Sequence, residues 1–526
     1  MTANTLLGRG NHEPVNIADY ETAINNAGQG RFQLQILFLA GLIDIATIFE
    51  AFSITYLLPS AECDLRMSSY GKTILNAAPF IGTLLGACFW GKMADSWGRR
   101  SAILIANSVD VIAAILSSLM QTFWPFVFFR FITGLTIMAA HPLCFPYLTE
   151  FHSPIYRSRA VLWLEIFAAL GGILVPLVAW AIIPRPWLLG SAEIGFRYNS
   201  WRMFMAAAAI PALICAIATY FSPESPAYLM SKGKHDEALA VFRSIYSRNT
   251  GNSPDSYPVN RLEMNFTLEE KDEKEEKAST RSSVILMIKQ ISHLFRPPLL
   301  KNTIIGLTSL FSLQLGFFGF GMWFPELFNR FEEFQEKYPN LTASVCEVSN
   351  MMDEKPQWMV DWESGTNATI DCSEDTIQPQ VFVKTLSIGI TCMIVTFITG
   401  TFVERIGRKR VIIMAMLLTA LCGAGSFFTK SAAQNLALSC FLQAFNAASY
   451  ATLMSVIVDF YPASLRGLAS TLILSISNIG SIVGNLLFGL LLDVDCAYPV
   501  FISAGVMGGC ALLCFFLPNN KIAAMS

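Results

Sequence analysis

Charge is what this chain has little of. Asp, Glu, Lys and Arg together make up 14% of its 526 residues, while hydrophobic residues make up 53%. A soluble domain carries about a quarter charged residues, so the deficit excludes a water-soluble globular protein and points to an integral membrane protein. The mean hydropathy of +0.48 agrees. A net charge of −3 gives no basic surface for nucleic acid. The first 33 residues hold no apolar core with a cleavage site, so no signal peptide is expected. Nor is there a Gly-x-x-x-x-Gly-Lys-Ser/Thr phosphate loop, so ATP is not expected to supply energy. No cofactor, metal ligand set or catalytic constellation stands out, and no enzyme is expected.

What is present is a series of apolar runs of about 20 residues, each long enough to cross a bilayer. Twelve are expected: 34–58, 70–91, 101–121, 124–148, 160–183, 202–222, 302–328, 381–403, 411–429, 435–459, 467–491 and 498–517. The fold class is then all-α and membrane-spanning, with two pseudo-symmetric bundles of six helices. The expected organisation is a segment 1–33, a bundle 34–222, a linker 223–301, a second bundle 302–517 interrupted by a long loop 329–380, and a tail 518–526.

One motif occurs in both halves. Gly91, Asp95, Gly98, Arg99 and Arg100 in the first recur as Gly400, Glu404, Gly407 and Arg408 in the second, each in a short charged gap between two spans. Glycine would let helices cross closely, and the basic residues would hold the loop on the cytoplasmic side. Arg157, Arg159 and Arg466 fall on the same side, and the alternate loops are poor in Lys and Arg. Both termini and the linker 223–301 are therefore expected in the cytoplasm.

The loop 329–380 would then be extracellular or luminal. It is acidic and carries two glycosylation sequons, at Asn340 and Asn367. Cys346 and Cys372 would face an oxidising space and are candidates for a disulfide, with Cys63 and Cys496 as competitors. In the linker, residues 235–246 place Ala238, Val241, Phe242 and Ile245 on one helical face, and 282–295 repeat the pattern. The charge run 269–277 between them is most simply a solvated tether.

The doubled motif resembles the loop signature of the major facilitator superfamily. Arg130 and Gly134 in span four resemble its Arg-x-x-x-Gly element. Tyr147, Glu150, Arg157 and Arg159, with Pro223-Glu224-Ser225-Pro226, resemble the sugar-porter and organic-ion branches. Five further strings resemble the synaptic vesicle glycoprotein 2 family: Gly30–Gln33, Leu58–Glu62, Trp180–Pro184, Ser200–Arg202 and Gly233–Ala238. Ala227 departs from that family, which usually has arginine there, and the 329–380 loop is much shorter than theirs. The resemblance implies alternating access, with Asp95 locking against the start of span eleven near Gly467 and Glu404 pairing with a nearby arginine.

Ionisable groups inside spans are expensive and are functional candidates by default. Glu50 and Asp44 in span one lie about 120° apart around the helix. Glu50 matches an acid of the resembled family and is a candidate to bind substrate or proton, with a structural hydrogen bond to a neighbouring helix as the alternative. Asp44 and Glu165 are further substrate or coupling candidates. Asp110 and Arg130 are expected to pair, since an unpaired charge there would be costly. His141 is expected to be a satisfied structural histidine. The second half has almost no mid-span charge. Its Tyr450 matches a cavity-lining tryptophan of the family and could stack on a cation, as could Trp163.

The expected function is carriage of a small organic solute through the lipid bilayer, with the acids favouring an organic cation or proton coupling. The rival is a vesicle membrane glycoprotein that no longer transports and serves as a receptor or trafficking partner through its linker. Plasma membrane and vesicle membrane are both open.

Overall fold

The computed structural model describes residues 17–263, 292–338, 344–348 and 378–517, apart from positions 139, 192–195, 298, 345, 462 and 493. Among the described residues, eleven helices are long and apolar enough to cross a membrane. A twelfth, α3, is bent by 45° between Gly86 and Phe89. After a short α1 (Tyr20–Ala27), the spans of the first half are α2 (Arg31–Ala61), α3 (Ser69–Trp97), α4 (Arg99–Leu119), α5 (Phe123–Thr133) continuing into α6 (Cys144–Thr149), α7 (Pro154–Ile182), and α8 (Ser200–Ala208) continuing into α9 (Ile210–Tyr220). Short α10 (Pro226–Ser231) and α11 (His235–Thr250) follow. The second half holds α12 (Leu300–Lys337), α13 (Pro379–Ile406), α14 (Arg408–Ser426), α15 (Ala432–Phe460), α16 (Ala463–Leu491) and α17 (Ala497–Leu513). Each expected apolar run falls on one of these spans. Such helices satisfy every backbone group internally, which lipid demands.

The doubled motif makes two equivalent turns. Gly98 joins α3 to α4 at φ 104°, and Gly407 joins α13 to α14 at φ 98°. Both lie in the left-handed region that glycine enters freely. Close helix crossing, however, is not the role of Gly91 or Gly400, because a side chain at either would meet open space. It is supplied elsewhere. A Cβ at Gly82 would strike the Phe131 carbonyl oxygen, and one at Gly134 the Pro79 carbonyl oxygen, which seats α3 against the end of α5. Gly480 and Gly484 do the same for α16 on α12, against the carbonyls of Phe311 and Leu315.

The halves touch at three levels. Near the doubled turns, Leu162 of α7 is buried with Val403, Val411 and Ala451. At mid-depth Gly389 of α13 lies against the Gly172 carbonyl, 2.7 Å from where a Cβ would stand. At the opposite end Gly489 of α16 abuts Thr73 of α3.

Two local pairings were not visible in the sequence. β1 (Ile17–Ala18) lies parallel to β4 (Arg261–Leu262), and β2 (Leu188–Ser191) pairs antiparallel with β3 (Phe196–Asn199). α11 buries Ala238, Phe242 and Ile245. Its Asn249 side chain donates to the Gly28 carbonyl at 3.0 Å and accepts from Phe32 N–H at 3.0 Å, clamping the start of α2. The charge run 269–277, most of 282–295, Asn340, Asn367 and Cys372 lie outside the described residues.

The expected Cys346–Cys372 bridge is corrected. Cys346 pairs with Cys496. α12 and α17 pack side by side, so the segment after α12 meets the residue that opens α17, with the two Cα atoms 5.2 Å apart. Cys63 is disulfide-bonded as well.

Candidate solute-binding cavity

A cavity of about 190 Å³ lies between the halves. The first half lines it with Asp44, Thr47 and Phe52 of α2, Thr83 of α3, His141, and Glu165 of α7. The second contributes Gln314, Phe317 and Phe318 of α12, Thr396 of α13, Gln443, Asn446 and Tyr450 of α15, and Asn478 of α16. Among the described residues, no lysine or arginine is on its wall.

The acidic end is built from the first half. Asp44 is 2% exposed, and its Oδ1 lies 2.6 Å from His141 Nε2. Glu165 stands close to Asp44, and Tyr450 reaches in beside both acids. Glu165 makes no hydrogen bond or ion pair with any described residue, which leaves a wall carboxyl without a protein counter-charge. The second half supplies amides already tied to their own scaffold. Gln443 Nε2 donates to the Phe317 carbonyl at 3.1 Å, Asn446 Nδ2 to the Leu313 carbonyl at 3.2 Å, and Gln314 Nε2 to Asn478 Oδ1 at 3.3 Å. Phe52 stacks on Phe318 at 5.6 Å and meets Phe317 edge-on at 5.7 Å, so one wall is aromatic.

Three expectations are corrected here. Glu50 is not on the cavity wall: it is 2% exposed and forms an ion pair with Arg130, which is 0% exposed. Arg130 also donates to the Glu50 carbonyl at 2.7 Å. Asp110 is not the partner of Arg130. It stands beside the pair and accepts a hydrogen bond from Thr136 Oγ1 at 3.2 Å. Spacing along one helix says which residues share a face, not which neighbouring helix they meet. Trp163 is also off the wall. Two residues from Glu165 is about 200° of rotation, so the indole points outward, 38% exposed, against Phe397 at 5.7 Å.

The doubled turns gather the loop residues into one network. Arg99 pairs with Asp95 at 3.3 Å and with Glu150 at 3.4 Å. Ser225 donates to Glu150, and the Arg100 N–H donates to Glu224 Oε1 at 3.0 Å. Tyr147 donates to the Pro223 carbonyl at 2.8 Å and Tyr228 to the Ser96 carbonyl at 2.7 Å. Burial pushes the Glu150 carboxyl up from its ordinary range, and Arg99 pulls it back. Asp95 is 75% exposed at its side chain and turned to its own Arg99. In the second copy Glu404 pairs with Arg408 at 2.6 Å, and Arg408 reaches Ser158 Oγ at 3.4 Å, across the interface between the halves.

The opposite end carries a charge cluster that the sequence reading missed. Lys72 of α3 lies 2.6 Å from Glu62 Oε2 and 3.2 Å from Glu326 Oε1 of α12, and Arg330 lies 3.3 Å from the same Glu326 oxygen. It ties one half to the other where water is scarce, as Lys72 is 4% exposed. Its signal was weak: Lys72 opens a span and Glu326 nears the end of one, positions usually given to headgroups. Lys72→Met is expected to loosen this tie. Alkylation of Cys392, a cavity-lining thiol, should then quicken several-fold in site-resolved mass spectrometry. An unchanged rate would mean that the cluster is not a lock.

Comparison with known proteins now bears on this geometry. The model of the "Sugar (and other) transporter" family matches residues 34–316. The chain belongs to that family. The "Major Facilitator Superfamily" model matches residues 384–524 in the second half, so both halves carry superfamily sequence. Among curated relatives of this transporter-family member, human synaptic vesicle glycoprotein 2C is 25% identical over 95% of this chain and 80% of its own length. Rat synaptic vesicle glycoprotein 2A is 31% identical over 59% of this chain and 43% of its own length. Among solved structures, the xylose transporter XylE from E. coli, in a partially occluded inward open conformation, has a TM-score of 0.63 at 17% identity. The match covers 94% of this chain and 99% of that one. At that identity the likeness establishes the fold, which is that of the major facilitator superfamily. The protein is thus a multi-pass membrane protein of a transporter family.

Proposed function

We propose that the protein carries a small organic cation across its membrane by alternating access around this cavity, with both termini on the cytoplasmic side. One observation carries the reading: the wall holds Asp44 and the Glu165 carboxyl, which has no partner among the described residues, and none of those on the wall is a lysine or arginine to oppose them. A carboxylate in a low-dielectric cavity is costly without a counter-charge, and a bound cation supplies one. The aromatic faces of Tyr450, Phe52 and Phe317 add cation–π attraction. The cavity fits a ligand of modest size, since its aromatic and amide wall leaves little free volume. Alternating access is supported by ties at both ends, the Lys72 cluster and the doubled turns, with the cavity between them. Orientation is supported by the basic residues of the turn loops.

A thermal-shift screen of the purified full chain against matched primary amines, quaternary ammonium compounds, carboxylates and neutral sugars tests this. Cations alone are expected to raise the unfolding temperature in a saturable way. Stabilisation by carboxylates or sugars, with none by cations, would overturn it.

A further inference from the structure

The sequence reading expects no metal, yet the fold brings Asp44, His141 and Cys144 together from positions about a hundred residues apart. The cause is a break in span four. α5 ends in a π-helical turn (Gly134–Met138), and a 3-10 turn (His141–Leu143) precedes α6. Pro142 and Pro146 withhold two backbone donors there, which helps keep the α-helix from continuing unbroken. In a 3-10 turn, side chains three apart eclipse one another, so His141 and Cys144 project to the same side, towards α2. Asp44 Oδ1 lies 2.6 Å from His141 Nε2 and accepts from Cys144 Sγ at 3.8 Å. One ligand atom from each of the three lies within 4.8 Å of the others. Asp44 and Cys144 are buried, and His141 shows its ring to the cavity.

We infer that these three side chains form a binding site for one divalent transition-metal ion of the zinc class. The donors are one oxygen, one nitrogen and one sulfur. That mixture suits a borderline ion, whereas magnesium and calcium take oxygen ligands throughout. Three protein ligands leave a fourth position facing the cavity, where Glu165 or a solute group can enter. Charge also fits. On binding, the Cys144 S–H bond breaks, its proton leaves to water, and the sulfur bonds the metal. The ion's two positive charges then balance one carboxylate and one thiolate, so the buried site is left neutral. The bound ion sits where an organic cation would approach Glu165, which makes the metal a competitor for the same cavity.

Cobalt(II) titration of the purified full chain tests this without any transport assay. The wild-type protein is expected to bind one equivalent, to show thiolate-to-cobalt absorption in the near ultraviolet, and to lose that absorption when zinc is added. Cys144→Ser should abolish the band. His141→Ala should keep the thiol but weaken binding by at least roughly tenfold, the loss seen even for groups that only orient a ligand. Cys392→Ser, which removes a cavity-lining thiol outside the proposed site, should leave the band unchanged. No cobalt band in the wild type, or a band surviving in Cys144→Ser, would overturn the site. Either failure leaves organic-cation stabilisation intact, so the two proposals fall separately.

Discussion

Arg130→Met is expected to lower folding stability by about 3–5 kcal/mol, the usual loss when one partner of a buried ion pair is removed. Arg130 is fully buried and paired with Glu50, and Asp110 stands beside them. Removing the guanidinium leaves two acids facing each other in an apolar setting. Glu50→Gln is milder, because Arg130 keeps its bond to the residue 50 carbonyl and keeps Asp110 as a neighbouring charge. The ranking is therefore Arg130→Met worse than Glu50→Gln, and the double variant more stable than Arg130→Met alone. Thermal unfolding of detergent-purified variants, followed by tryptophan fluorescence, checks it. Equal midpoints for Arg130→Met and wild type would show that the pair contributes no net stability. The sequence alone suggests a different outcome for Glu50, loss of uptake with normal expression. Its burial away from the cavity wall replaces that expectation with a loss of folded yield.

Glu165→Gln should weaken organic-cation binding by about tenfold to a hundredfold, since a bond to a charged group contributes roughly 1.5–3 kcal/mol and each 1.4 kcal/mol is a factor of ten. Stability should hold or rise, because Glu165 bonds no described residue and the amide removes a half-buried charge that lacks a partner. The shift in apparent dissociation constant, read from thermal-shift titrations with the best cation of the screen, measures it. Trp163→Phe is the control, and should leave affinity unchanged because Trp163 packs on Phe397 outside the cavity. Unchanged affinity in Glu165→Gln, or an equal loss in Trp163→Phe, would contradict the assignment.

The legible and illegible parts of this fold divide along a physical line. Lipid forces each spanning segment into an uninterrupted apolar run, so the spans could be read from composition alone. The turn glycines Gly98 and Gly407 were legible because their motif recurs, and both have the positive φ that the turn needs. Asp44 and Glu165 were found by asking which ionisable groups sit expensively in apolar runs, Tyr450 by the family resemblance, and the fold brings all three to one cavity. The same question picked out Glu50, Asp110 and Arg130 but could not pair them, because helix neighbours are a property of the bundle. His141 was seen as a structural residue, and nothing in the sequence drew attention to Cys144. Only the broken helix of span four, a backbone irregularity without a strong sequence signal, turns both towards Asp44. Lys72 and Glu326 escaped notice because charges near span ends are cheap and common. The Cys346–Cys496 bridge depends on which helix ends lie side by side, and nearness along the chain favoured Cys372 instead.

The measurement closest to the central claim is solute uptake by the purified full chain in proteoliposomes, comparing an organic cation with a neutral analogue of the same shape. Saturable uptake of the cation, little uptake of the analogue, and collapse of the cation flux in Glu165→Gln are the expected results. Flux of the neutral analogue undiminished by Glu165→Gln would contradict the assigned cargo. Folded protein that binds cations but moves none would contradict carriage itself, and would favour a non-transporting membrane glycoprotein built on a transporter fold.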